Sequence, residues 1–359
     1  MFKRIHKSIS FFVFVILATA LTLPCSSNDE NSLFVDLWYG DHQTFGRLGH
    51  SQRWINILGR VSPASNIKSL SYSLNGSDLL PLSFKADMKR IAEDGDFNIE
   101  IARALLLIGD NRVEIVAEDN DGSAIRRVAT IEYVNTKKSW PIPYTIDWSK
   151  VDRIDDAVQV VDGLWTLTDH GVRSVGRYYD RILAFGDATW RNYEVTTSII
   201  FHALTPPNSG PNNTGVSHAA IAVRWPGHDD DGLQPRVKWY PLGATAEFRI
   251  GSGLQQCRWR IFDGKREFYV ESDRRRTIKL GDTYRMKHRV ETLEDGRSHN
   301  RAKLWLASEP EPGDWDIERF ESGDLPGGSA LLIAHHTDVT FGNVSVVPVS
   351  VNRSETNVD

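Results

Sequence analysis

From Trp148 to about Val349 the chain never settles into the 3.6-residue apolar spacing that a helix requires. Short β-like segments follow one another, broken by Gly, Asp and Pro turns. A domain of helices is excluded there, and about 200 residues of this kind suit two stacked antiparallel sheets. At 359 residues the chain is long enough for a second core in front of this one.

The preceding stretch, Phe34 to Val134, is also patterned for strands. Trp54 to Val61 is rich in β-formers, and Leu70, Tyr72 and Leu74 alternate with Ser71 and Ser73 before a tight turn at Asn75-Gly76. Ile99 and Ile101 alternate with Asn98 and Glu100. Val113, Ile115 and Ala117 alternate with Arg112, Glu114 and Val116, between turns at Gly109–Asn111 and Asp119–Gly122. The run from Leu107 to Gly122 is similar to the closing hairpin of bacterial immunoglobulin-like domains, without the paired Cys of antibody domains. The resemblance implies an immunoglobulin-like β-sandwich over 34–134 that serves as a spacer or contact surface. Residues 135–147, with Pro141 and Pro143, read as a linker.

At the N-terminus, Lys3, Arg4 and Lys7 precede the apolar run Ile9 to Leu23, too short for the ~20 residues of a spanning helix. This is the layout of a signal peptide over 1–25, with a polar tether at 26–33, and it predicts a secreted or cell-surface protein. Cys25 suggests a lipid anchor as a second reading, although Thr22, Leu23 and Pro24 depart from the usual small-residue lipobox. With Cys25 removed or lipidated, Cys257 is the one remaining thiol, expected to be buried and inert.

Within 148–350, three segments resemble the concanavalin A-like lectin and glucanase superfamily, in its laminin G-like form. They are Gly186 to Val195 (Gly-Asp-Ala-Thr-Trp-Arg-Asn-Tyr-Glu-Val), Ala219 to Trp225, and Leu331 to Val346, with His335, His336, Asp338, Phe341 and Asn343. The resemblance implies a β-jelly-roll sandwich in which the Asn-Tyr-Glu-Val strand pairs with the closing strand, and carbohydrate as the ligand class. Residues 351–359 form a tail. The expected fold is all-β: an immunoglobulin-like sandwich followed by a concanavalin A-like jelly-roll.

Hydrolytic members of that superfamily carry acidic residues alternating on one strand, and no such strand is present. Asp229 to Asp231 are contiguous and Glu267 and Glu271 are four apart, which disfavours a retaining glucanase. The informative pattern is basic. Residues 210–305 hold 18 Lys and Arg against 12 Asp and Glu, a local excess of +6 in a chain of net charge −5. With Ala219, Ile221 and Val223 facing the core, period-2 geometry sends His218 and Arg224 to the opposite face. The same logic groups Arg236, Lys238 and Tyr240, then Glu247 and Arg249, then Arg258 and Arg260, then Arg285, Lys287 and Arg289.

On one concave sheet these would line a groove for uronate or sulfate groups, with Tyr240 for sugar faces and Trp225 and His228 on a rim loop. The other reading is a solvated sheet face. A polysaccharide lyase is the enzymatic alternative, with His218, Arg224, Lys238 and Tyr240 as candidate catalytic groups. A purely structural surface protein is the third class. His335 and His336, adjacent on a strand, should point to opposite faces, which argues against a shared metal. Asp187 and Asp338 are of the type that holds a structural Ca²⁺, with turn capping as the alternative. No other cofactor is called for, and the acidic pI of about 6.1 argues against nucleic acid as a partner.

Overall fold

The computed structural model describes residues 32–350 except 88, 136–138, 206–215, 237–241 and 266–267. The first strands are β1 (Phe34–Leu37), β2 (His42–Phe45), β3 (Trp54–Ser62), β4 (Ile67–Leu74), β5 (Leu80–Pro81), β6 (Asp96–Ala102), β7 (Gly109–Asp119) and β8 (Ala124–Tyr133). They form a three-stranded sheet in the order β1-β3-β6 and a five-stranded sheet in the order β2-β8-β7-β4-β5. Ile57, Val61, Ile99, Val113, Ile115 and Ile131 lie buried in their shared core. Asn111 pins the start of the β7–β8 hairpin, its amide donating to the Leu107 and Gly109 carbonyls at 2.7 and 3.0 Å.

The remaining strands are β9 (Tyr144–Ile146), β10 (Gln159–Asp162), β11 (Trp165–Thr168), β12 (Gly171–Ser174), β13 (Arg181–Phe185), β14 (Tyr193–Leu204), β15 (His218–Trp225) and β16 (Ala244–Arg249). After them come β17 (Arg258–Phe262), β18 (Tyr269–Glu271), β19 (Thr283–Thr292), β20 (Ser298–Leu306), β21 (Ile317–Glu321), β22 (Ser329–His335) and β23 (Thr337–Pro348). Seven strands run β10-β13-β22-β15-β16-β17-β18, and a second sheet runs β11-β12-β23-β14-β19-β20-β21 with β9 beside β23. The expected meeting of the two ends is present: Tyr193↔Pro348, Glu194↔Val347 and Val195↔Val346 are register pairs. Between the sheets lie Phe185, Tyr193, Val195, Phe201, Ala219, Ile221, Val223, Phe248, Trp259, Met286 and Phe341. Cys257 joins this core as a free, fully buried thiol.

The β10 edge of the seven-stranded sheet packs on the first sandwich through polar groups. Asn98 donates to the Val161 carbonyl at 2.9 Å, and Gln159 donates to the Trp54 carbonyl and Asn56 at 2.9 Å each. Arg90 sits at the centre of this seam, bonding Asp162 at 2.7 Å and Glu100 at 3.0 Å with all three side chains fully buried. One guanidinium thus serves two carboxylates. Glu100 keeps its charge: burial opposes ionisation, but Arg90 and His228 outweigh it and pull its pKa well below the usual range. Asp162 is pushed up to about 7, burial prevailing over Arg90 and Arg181.

Candidate functional site: the outer face of the seven-stranded sheet

Alternate residues of β22, β15, β16, β17 and β18 point away from the core between the two sheets, and their register lays them out in rows; the apolar members on β22 and β15, Leu331, Ile333, Ala220 and Ala222, are buried in a further cluster with Val161, Trp225 and Leu242. His335, His218, Arg249 and Arg258 are successive neighbours in the first row. Ile333, Ala220, Glu247, Arg260 and Glu271 make the second, and Leu331, Ala222, Thr245, Phe262 and Tyr269 the third. Imidazoles at one end of the face therefore grade into arginines at the other.

The imidazole end is tightly organised. The rings of His218 and His335 stack at 4.2 Å with planes 12° apart. His335 Nδ1 lies 2.6 Å from Asp180 Oδ1, and His218 Nδ1 lies 2.8 Å from the Val216 carbonyl. A carbonyl oxygen can only accept, so His218 Nδ1 carries a proton. Its Nε2 is 3.7 Å from Glu247 Oε1. Contrary to expectation, His336 does not point to the far face. Its φ of 51° takes it out of the extended conformation at the end of β22, and its ring lies 4.4 Å from that of His335. Burial, with His335 beside it, lowers its pKa to about 4.

At the other end, three arginines share one carboxylate. Glu271 accepts from Arg249 at 2.9 Å, from Arg258 at 2.7 Å and from Arg260 at 2.5 Å. Burial works to raise the Glu271 pKa, but the three guanidiniums outweigh it and hold it low. Arg249 is shifted down by burial and by the like charge of Arg260. Arg249 and Arg258 line an open cleft of about 350 Å³ together with Ser252, Gln256 and Arg275. The ring of Tyr269, 53% exposed, stands on this side of the sheet, with the Arg260 guanidinium 4.2 Å over it.

Other residues expected in a groove lie elsewhere. Arg224 is 1% exposed because its φ of 57° breaks the alternation and turns its side chain in between the sheets, where it donates to Arg191 O, Asn192, Thr292, Ser298 and Leu325 O. It plugs one rim of the sandwich and cannot reach a ligand. Trp225, also fully buried, packs with Ala222, Leu331 and Leu242. His228 is not on an open rim loop: its carbonyl accepts from Arg53 and Trp54, and its fully buried ring bonds Glu100 at 3.1 Å. Arg236 lies in the same seam, 3.5 Å over the Trp54 ring, and pairs with Asp230 at 3.1 Å. Lys238 and Tyr240 fall outside the described residues.

The basic strands also divide between two sheets. Lys287 and Arg289 belong to β19 of the other sheet, where both pair with Glu194, and Arg285 lies on the same strand. Four cations there, Lys287, Arg289, Arg301 and Lys303, pair with three carboxylates, Glu194, Glu291 and Glu311, and crowd the Trp315 and Trp305 rings. Each of these cations is held in an ion pair.

The two carboxylates considered for Ca²⁺ are committed to different parts of the fold. Asp187 accepts from the Trp140 and Thr189 amides, a turn-capping role, and Asp338 takes a two-point contact from Arg173 at 2.8 and 2.7 Å. The group among the described residues whose ligand-type atoms do converge, within 4.8 Å of one another, is Asp180, His218 and His335. Sequence reasoning missed Asp180 and the role of Glu271. Asp180 immediately precedes β13, 155 residues from its histidine, with no local pattern to link them.

No protein-family model matches the chain, and no curated protein matches it. Among solved structures it is similar to the exoplasmic/lumenal domain of VIP36 in its Ca²⁺-bound form, at 9% identity and TM-score 0.34 over 54% of this chain and 84% of that one. It is also similar to the alginate lyase Aly36B, at 11% identity and TM-score 0.33 over 59% of this chain and 99% of that one. A third is the bifunctional GH43-CE protein of Bacteroides eggerthii, at 9% identity and TM-score 0.39 over 84% of this chain and 53% of that one. At such distances none of them says what this site holds.

Proposed function

We propose that the chain is an exported carbohydrate-interacting protein that holds an anionic polysaccharide on the outer face of the seven-stranded sheet. In this reading the first sandwich is an immunoglobulin-like spacer, and the jelly-roll is the recognition unit. One observation carries the proposal: Arg249, Arg258 and Arg260 share the single carboxylate of Glu271 beside an open cleft that Arg275 also lines. With Glu247, the cross-strand neighbour of Arg260, counted beside Glu271, the three guanidiniums exceed the carboxylates of their face by one. Guanidinium forks match carboxylate and sulfate groups, and the exposed ring of Tyr269 offers a face to sugar.

Affinity electrophoresis through gels containing neutral, uronate or sulfated polysaccharides tests the proposal. Retardation by acidic polymers that fades with salt is expected. Migration unaffected by every polymer would return the protein to a structural role.

A further inference from the structure

We infer that this face takes one acidic sugar in the cleft at Arg275 and uncharged sugars beyond it. Its ligand is then a largely neutral polysaccharide carrying isolated carboxylate or sulfate groups, and not a uniformly charged polymer. This narrows the anionic-glycan reading and rests on it.

The cleft opens where β16 ends and β17 begins, with Arg249 and Arg258 as register partners. Among the described residues its lining holds the guanidiniums of Arg249, Arg258 and Arg275 and no carboxylate. Arg249 and Arg258 reach out to Glu271. Arg275 does not. It is exposed, its Nη1 donates to the Ser272 carbonyl, and no carboxylate among the described residues pairs with it. Its Nε–Nη2 side is the two-pronged edge that fits the paired oxygens of a carboxylate or sulfate. Val216 gives the cleft an apolar lip, and Ser252 and Gln256 bring a hydroxyl and an amide for sugar hydroxyls. Its volume of about 350 Å³ lies within the range of ligand pockets, about 300–1,000 Å³, and admits a sugar ring together with its acidic group.

Beyond the cleft the surplus of charge ends. Along β17 the next outward residue is Arg260, whose Nε and Nη2 both donate to Glu271, with Glu247 as its neighbour on β16. A second acidic group at this level would lie beside the Glu271 carboxylate and find the guanidinium fork occupied. Discrimination against a polyuronate comes from that repulsion. Two residues further along, Phe262 is the register partner of Tyr269, whose half-exposed ring suits the apolar face of an uncharged sugar. Arg258 and Phe262 are the two ends of β17, so about 13 Å of strand separates the cleft from this ring. That is longer than one sugar ring. A ligand that uses both ends is an oligosaccharide, acidic in the cleft and uncharged where it passes Glu271 and Tyr269.

The test is affinity electrophoresis of the full chain at about 0.15 M salt, where attraction between exposed charges is screened beyond about 8 Å. One pair of gels contains glucuronoxylan, a neutral chain with single uronate branches, or polygalacturonate at equal uronate concentration. A second pair contains a sparsely sulfated galactan or dextran sulfate at equal sulfate concentration, and unsubstituted xylan is the uncharged control. At least one sparse polymer should retard the protein more than its dense counterpart, and which one does so tells carboxylate from sulfate. Arg275→Ser should weaken that retention about 10-fold, the worth of one hydrogen-bonded contact to a charged group. Tyr269→Ser should weaken it as well, and both positions are exposed enough for the fold to tolerate the change. Dense polymers that retard the protein as strongly as the sparse ones, or an Arg275→Ser variant that migrates as the wild type does, overturn the inference and leave the anionic-glycan reading standing. Retardation by no acidic polymer overturns both.

Discussion

Asp162 tests the reading of the buried seam. Its Oδ1 accepts from Arg90 Nε at 2.7 Å and from Asn98 at 3.0 Å, and its Oδ2 has no partner. With Glu100 holding the negative charge opposite Arg90, Asp162 retains its proton up to about pH 7, against 3.8 for an ordinary carboxyl. The folded state therefore binds this proton more tightly than the unfolded chain, and stability falls as pH rises through the window from about 4 to 7. Three pKa units correspond to about 4 kcal/mol in all, of which about 2–3 kcal/mol falls between pH 5 and 8. Asp162→Asn keeps the accepting oxygen, places an amide where Oδ2 lacked a partner, and removes the titration. Urea unfolding of both proteins at several pH values, compared as a difference, isolates this group from the histidines. The wild type should lose about 2–3 kcal/mol relative to the variant between pH 5 and 8. Parallel curves would refute the assignment of the proton.

Other consequences are equally open to measurement. Arg90→Met strands the Glu100 charge and should cost about 3–5 kcal/mol in urea unfolding, and an unchanged midpoint would show that the seam does not depend on it. His288, fully buried with its pKa lowered to about 4, contributes stability that is lost as pH falls from about 6.5 towards 4. In acid titrations monitored by fluorescence, His288→Gln should flatten that part of the curve. Glu271→Gln removes the one carboxylate shared by three arginines. It should tighten retention on an acidic polysaccharide by about 2–5-fold, the worth of an exposed ion pair, whereas weaker retention would mean that the carboxylate organises the site.

Much of the second sandwich was legible because alternation is local. Ala219, Ile221 and Val223 face the core as read, and Glu247 with Arg249 and Arg258 with Arg260 share one outer face. Alternation fails where a single residue leaves the extended conformation. Arg224 and His336, with φ of 57° and 51°, each put a side chain where period-2 counting does not. Alternation also cannot say which sheet a strand joins, which is why the β19 basic residues fell into the same imagined groove as those of β16 and β17.

Nor does it say what covers a polar face. Asn98 and Glu100 alternate with Ile99 and Ile101 as on a half-solvated strand, yet all are buried, because the second sandwich and the loop around His228 cover that side. The Asp180–His335 contact joins residues far apart in the chain, and it became visible only once β13 and β22 were paired.

The central claim is that the surplus arginines beside the cleft hold an acidic glycan. The most direct measurement is affinity electrophoresis of the wild type and Arg258→Ser in gels containing a uronate polysaccharide or a neutral glucan, at low and high salt. The account predicts strong retardation of the wild type by the uronate at low salt, much less for the variant, and none by the neutral polymer. Equal retardation of both proteins, or retardation by the neutral glucan alone, would contradict it.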